Sequence, residues 1–451
     1  MESLFSTTII TVLASFADNF GANNFLYFRG FVLASMLLGQ ARKCVTNIAQ
    51  VCFFVDRHIS SWERFLSHYQ WDITRIQGQV VSLVQEQFGD TLLVYGAYLA
   101  WVDTTLVAKV KGKMRGVQKW HDHSGNPDRG TSLVGHHWAL GGLVCSTMVA
   151  GEVTALCWPF LARLISGNAD PLGCVVDAQG VAQAMHFWDA VCPLMAHLQT
   201  MLGGLPMRVV ADAYFAKAPF INWMLSLGIH VMSRMRHDAV GWDDPTPDPP
   251  LPAGKKPRGR KRTTPKPGKK WKLAKLLDAL PHKNITVRLY GKLETLCVVT
   301  RDVWIRGVES QKVRVVIVKT RGDPVILLST DLTLPPVAIV QSYGLRFPAE
   351  LTIRNLKQFF GLGDYQCTGL LAINRFVGLS LISYCLWQVV QVRDLGAAWL
   401  QAQEKRTRFS FARLSQAVRR FTVSKLFANS ACDGEFRNYG EVSKHLNRLF
   451  V

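Results

Sequence analysis

Residues 91–110 read TLLVYGAYLAWVDTTLVAKV, and two further runs of the same kind follow, LVGHHWALGGLV at 133–144 and EVTALCWPFLARL at 152–164. Each is rich in branched, aromatic and leucine side chains, and glycine-bearing segments separate them. That pattern predicts three antiparallel strands joined as a meander. A helical stretch from Asp177 to Met201 then leads to a strand, MRVVADAYF (207–215), a second helix, AKAPFINWMLSLG (216–228), and a strand, IHVMSRM (229–235). Each of the first and fourth strands carries an aspartate, Asp103 in WVDTT and Asp212 in VVADAYF. An ionised carboxylate set in an apolar strand is costly unless it meets cations or donors, so both positions ask for a chemical reason.

Three strands, helix, strand, helix, strand is the order of a ribonuclease-H-like α/β core, in which the first and fourth strands are neighbours. The expected organisation runs outward from it. Residues 1–90 show helix-like apolar spacing and predict a helical DNA-binding domain. Residues 91–236 form the first part of the core, and 237–335 an insertion whose basic, Pro-rich linker (243–272) precedes a small antiparallel sheet. Residues 336–393 complete the core, and 394–451 form a basic C-terminal region. No internal repeat is visible.

The third carboxylate comes late. Tyr343, Arg346, Glu350 and Lys357 form a Y-x2-R-x3-E-x6-K array. Pro348 favours a helix start there, which sets Glu350 in the first turn, where backbone amides favour its ionised form. Lys357, seven residues on, shares its face. Gly344 and Pro348 argue against one unbroken helix, so Tyr343 and Arg346 are expected in a preceding turn or helix end.

This array, behind two strand-borne aspartates, resembles the YREK signature of bacterial insertion-sequence DDE transposases, over roughly Trp101 to Gln366. A β-rich insertion between the second Asp and the Glu is also what the hairpin-forming members carry. The resemblance implies Asp103, Asp212 and Glu350 as ligands of two Mg²⁺ ions, with Mn²⁺ as a substitute. Tyr343, Arg346 and Lys357 would then grip phosphates at the transposon end. It implies a nick that frees a 3′-hydroxyl, attack of that hydroxyl on the opposite strand to form a hairpin, and joining to target DNA. The partners implied are terminal inverted repeats and target duplex, bound by a dimer in the DNA complex. A Trp of the insertion would hold a flipped base, with Trp242, Trp271 and Trp304 as candidates. Two rival classes are a transposase-derived DNA-binding protein without cleavage and a ribonuclease-H-like DNA nuclease without strand transfer.

Charge agrees with a polyanionic partner. The 451 residues carry 52 Lys and Arg against 32 Asp and Glu, a net +20, and such a field draws nucleic acid. Ten of the eighteen residues from Lys255 to Lys272 are basic. Lys255, Lys256, Arg258, Arg260, Lys261 and Arg262 stand there among Pro and Gly, which predicts sequence-independent phosphate binding. Pro257–Arg260 is similar to an AT-hook core, except that Lys261 stands where that motif has Pro.

Within the helical domain, the stretch from Thr46 to Trp71 predicts two short helices joined near Val55–His58, with Ser60 or Ser61 capping the second. Arg57, His58, Ser60, Trp62 and Arg64 are its candidate DNA-facing residues, with Trp62 and Phe65 as core residues the alternative. His121, Asp122 and His123 read as a polar loop, His136 and His137 as strand residues, and Gly361 and Gly363 as a helix C-cap.

The ten cysteines include no C-x-x-C pair, so neither a zinc knuckle nor a disulfide framework is expected. The N-terminal segment lacks a basic n-region, so a reducing cytoplasm is expected, and the resemblance implies a bacterial, nucleoid-associated protein. Phe376–Val390 falls about five residues short of a bilayer crossing and predicts a buried helix.

Overall fold

The computed structural model describes residues 9, 11–52, 57–110, 114–122, 131–149, 152–165, 175–176, 182–183, 187–245, 268–390 and 392. Its main helices are α1 (Ala22–Leu37), α2 (Val45–Val51), α3 (Ile59–Ser67), α4 (Ile73–Phe88), α5 (Phe187–Met201), α6 (Ala218–Ser226), α7 (Pro336–Gly344), α8 (Phe347–Phe359) and α9 (Leu370–Val390). Its main strands up to the second aspartate are β1 (Ala97–Ala108), β2 (Gln118–His121), β3 (Ser132–Val149), β4 (Glu152–Ile165) and β5 (Met207–Ala211). Those that follow are β6 (His230–Met235), β7 (Val240–Trp242), β8 (Lys270–Lys272), β9 (Lys283–Leu289), β10 (Lys292–Ile305), β11 (Val308–Val318) and β12 (Val325–Ser329).

The chain divides into two compact units, each mixing helices and strands. One holds Met1–Leu93, Val102–Leu205 and Phe347–Val451; the other holds Val94–Trp101 and Pro206–Arg346.

In the first unit β3 and β4 make a long antiparallel hairpin, paired from His137↔Ile165 to Val149↔Glu152, with a bulge at Gly141/Gly142. A Cβ on Gly142 would stand 1.7 Å from the Trp158 carbonyl oxygen, so the two backbones close only around glycine. The apolar helix α9 packs against α1, α3, α4 and β4. It spans 21 residues and is apolar enough to cross a membrane by length and composition, longer than the run the sequence marked out, yet most of it is buried inside the protein.

Local signals set the ends of the N-terminal helices. Asp72 caps α4, accepting the Thr74 N–H at 2.8 Å. The cap of α3 is His58, whose ring accepts the Ser60 N–H at 3.2 Å, so Ser60 and Ser61 lie inside the helix rather than at its cap. Trp62 is 1% exposed and packs against Gly30, while Arg57 and Arg64 are solvent-facing. Trp62 is therefore a core residue, because its ring fills the space that the missing Gly30 side chain leaves.

Two further expectations are corrected here. α5 begins at Phe187, ten residues later than the apolar pattern placed it, and Ala182–Gln183 is extended. His121 ends β2, paired with Ser132, rather than lying in a loop.

In the second unit β5 and β6 run parallel, Val210 opposite Met232. β5 neighbours β1, whose Tyr98 N–H donates to the Pro206 carbonyl at 2.9 Å. The strands of residues 283–329 do not form a separate small sheet: β9, β10, β11 and β12 pair in turn, and β12 pairs with β6, Ile326 opposite Met235. Valine or isoleucine on every one of these strands lets a single pleated surface continue across them. Most of the basic linker, including Lys255, Lys256, Arg258, Arg260, Lys261 and Arg262, lies outside the described residues, as do the basic residues after Asp394.

Candidate active site

Asp212 stands one residue past the carboxyl end of β5. It caps the turn Ala213–Phe215, its Oδ1 accepting the Tyr214 N–H at 2.9 Å. Its own carbonyl accepts the Ser233 hydroxyl at 2.6 Å, and Ser233 is fully buried on β6. Both ends of the residue are thus held by the parallel strand pair. The next residue on β6, Arg234, is exposed.

Tyr343 lies in the last turn of α7, a helix that packs on β5, β6 and β12. Burial raises the Tyr343 phenol above its usual range, while a hydrogen bond and charge from Arg346, and the charge of Arg234, lower it; Asp212 acts upward. The Arg346 guanidinium lies 5.8 Å from the Tyr343 ring centre, a cation over an aromatic face. Asp212, Arg234, Tyr343 and Arg346 therefore share one electrostatic neighbourhood in this unit. Sequence reasoning missed Arg234. The available signal was strand alternation: it sits beside inward-facing Ser233 on the strand parallel to that of Asp212.

In the other unit Asp103 is half-buried on β1, where its Oδ1 accepts the Thr104 N–H at 2.7 Å. Its charge reaches β4, where it helps burial push the Cys157 thiol up. Glu350 is exposed in the first turn of α8. Lys357, in the last turn, donates to the Leu106 carbonyl of β1 at 2.8 Å. From that hydrogen bond, Glu350 lies about 10 Å back along the helix and Asp103 about 10 Å back along the strand.

The rest of α8 is firmly seated. Ala349, Thr352, Leu356 and Phe359 form its buried face, and Thr352 shares a hydrogen bond with the Tyr384 hydroxyl of α9 at 3.2 Å. At the helix end the Leu362 N–H donates to the Leu356 carbonyl, six residues back, with Gly361 at φ +71°. Lys109 then donates to the carbonyls of Gly363 and Tyr365, both at 2.6 Å, and burial lowers its pKa to about 8.

His136 is buried behind this segment. Its Nε2 meets the Arg115 carbonyl at 2.8 Å, which can only accept, and burial disfavours a second proton. Nδ1 accordingly accepts from the Tyr365 hydroxyl at 2.7 Å, and that oxygen accepts from Trp138 at 3.0 Å. His136 is thus a satisfied core residue.

The three tryptophans of the insertion sit on paired strands. Trp242 is opposite Trp304 and Lys270, and Trp271 is opposite Gly241. Trp271 donates to Asp243 at 2.8 Å and Trp304 to Asp244 at 3.0 Å. All three are half-buried, so exposure does not choose among them.

Among the described residues, no three His, Cys, Asp or Glu side chains are grouped so as to hold a metal ion. The described cysteines are free thiols.

No curated protein matches the chain significantly. Residues 16–292 match the model of a family described as DDE superfamily endonuclease. The match includes Asp103 and Asp212 and ends before Tyr343, Arg346, Glu350 and Lys357.

Proposed function

Because more than half of this chain matches the DDE superfamily endonucleases and it belongs to that family, we propose that it is a transposase cutting and rejoining the ends of a mobile DNA element. Family membership makes DNA the substrate and phosphodiester cleavage the general activity. The observation that carries the finer reading is the matched segment itself, since Asp103 and Asp212 both lie in it. A ribonuclease-H-like core is supported by the order of its elements: β5 next to β1, a parallel β5–β6 pair, and α5 and α6 interleaved.

In this reading Asp103, Asp212 and Glu350 are the ligands of two Mg²⁺ ions. All three offer hard carboxylate oxygens from half-buried or exposed positions, the donor chemistry that magnesium, or manganese in its place, takes. Such a pair, when bound, supplies positive charge opposite the attacking and leaving oxygens of a phosphodiester. The protein's own contribution is positioning. Arg346 and Arg234 offer forked donors to DNA phosphates beside Asp212, and the Arg346 guanidinium stands 5.8 Å from the centre of the Tyr343 ring. Lys357 adds a point charge at the far end of α8. The YREK array and the β-rich segment before it support a hairpin intermediate; the basic linker supports binding of DNA flanks, by a dimer that engages both ends.

The test incubates full-length protein with a labelled element end and Mg²⁺ and resolves nicks, hairpins and joined products on denaturing gels. Asp103→Ala, Asp212→Ala and Glu350→Ala are each expected to abolish nicking while binding the end within about threefold of the parent. Nicking at the parent rate by the Glu350→Ala protein would remove that residue from the site. Nicks without hairpins would replace the hairpin route with direct hydrolysis of both strands.

A further inference from the structure

A cavity of about 410 Å³ lies wholly within the first unit, between α4, β4, α5 and α9. Its volume is that of a small-molecule site and too small for a duplex. Ile73, Pro193, Leu194 and Leu370 supply apolar walls, and the polar groups facing in are Thr74, Gln77, Arg163, His197 and Asn374.

Three of these groups set the character of the cavity. Arg163 is half-buried on β4, and among the described residues it has no ion pair or hydrogen bond. Burial lowers its pKa with no neighbouring carboxylate acting upward. Gln77 is only 8% exposed, and it lines the cavity. An ideal Cβ on Gly378 would lie 3.6 Å from its Nε2, which fixes that amide against the α9 backbone at the cavity wall. His197 is depressed by burial and by Arg163, with Asp72 acting upward from the end of α4. A half-buried guanidinium with no carboxylate against it among the described residues favours an anionic ligand.

The starts of two long helices bound the same space. Ile73 and Thr74 open α4, and Leu370 and Asn374 lie in the opening of α9. Their N-terminal ends add positive potential to that of Arg163. The acid at the rim, Asp72, is engaged in capping Thr74. The balance of charge therefore calls for an anion, and the apolar walls call for a body attached to it.

We propose that this cavity binds a phosphate monoester of nucleotide size, its phosphate on Arg163 and the amides of Gln77 and Asn374, its base and sugar against Ile73, Pro193, Leu194 and Leu370. Such an ester is carried by a free nucleotide or by the 5′-phosphorylated end of a DNA strand.

Isothermal titration calorimetry on the full-length protein distinguishes these sources with three probes: deoxyadenosine monophosphate, deoxyadenosine, and a short single strand with or without a 5′-phosphate. One-to-one binding of the nucleotide, at least tenfold tighter than the nucleoside, supports a free ester. A comparable preference confined to the 5′-phosphorylated strand supports the strand end. Arg163→Ala is expected to weaken either by at least tenfold. If that variant does not fold, the combined His197→Ala and Asn374→Ala protein, altered only at exposed side chains, is expected to lose as much. Absence of binding by every phosphorylated probe, or binding unchanged in these variants, overturns the proposal. All the variants keep Asp103, Asp212 and Glu350, so nicking assays report on the proposed cleavage separately.

Discussion

Two consecutive helices of the same unit, α8 and α9, handle polar residues in opposite ways. α8 buries one face and turns Glu350 and Lys357 to solvent. From Arg375 to Val390 α9 is buried on all sides, and its arginine, serines and glutamine there are hydrogen-bonded. Arg375 donates to the carbonyls of Leu66 at 3.1 Å and Trp71 at 2.5 Å and stacks over the Trp71 ring. Ser380 and Ser383 return to carbonyls of their own helix, and Gln388 donates to the Cys157 carbonyl at 2.7 Å. The difference teaches where selection for chemistry is cheap. A charge on α8 costs little to fold, so its identity is free to serve a reaction, whereas a charge on α9 must be matched donor by acceptor before the protein folds at all.

Glu350→Gln gives the sharpest test of that division. Cleavage is expected to fall at least 10³-fold, about 4 kcal/mol on the barrier, with the urea midpoint unchanged. A drop in the midpoint would mean that Glu350 is a folding residue and would collapse the contrast. Arg375→Ala should do the reverse, lowering stability by about 3 kcal/mol, because several buried carbonyls lose their donor together. An unaltered denaturation curve would show that water reaches those carbonyls. Gln388→Leu keeps most of the side-chain volume and removes one donor, so a loss of about 1–2 kcal/mol is expected in the same measurement. Lys357→Ala is expected to change stability by only about 0.5 kcal/mol, while the salt dependence of DNA binding flattens by about one phosphate contact. A larger stability loss would make its bond to the Leu106 carbonyl the main role.

Strand-borne aspartates and the break before α8 were legible in the sequence because they obey short-range rules. Runs of branched, aromatic and leucine residues mark β1, β3 and β4, and Pro348 fixes a helix start within one residue. Glu350 falls in the first turn for the same reason. What escaped notice depended on neighbours distant in the chain. Trp62 reads equally well as a groove-facing or a core residue until Gly30 is seen beneath it. His58 displaced the serines as a cap because its ring reaches the Ser60 N–H from outside the helix, which propensity rankings do not anticipate. Arg234 required knowing that β6 lies parallel to β5. The start of α5 was drawn too early because apolar residues near 180 suit a helix and a strand alike, and Ala182–Gln183 took the second.

The pairing of β12 with β6 has a consequence for how this protein can be cut down. Excising residues 283–329 to obtain a minimal catalytic fragment would leave His230–Met235 with a bare row of amides and carbonyls along a mostly buried strand. Such an edge recruits any other extended chain, including a second truncated copy. A shortened version is expected to precipitate or self-associate rather than remain a trimmed nuclease, so the inserted strands serve as the permanent hem of the fabric to which they were added.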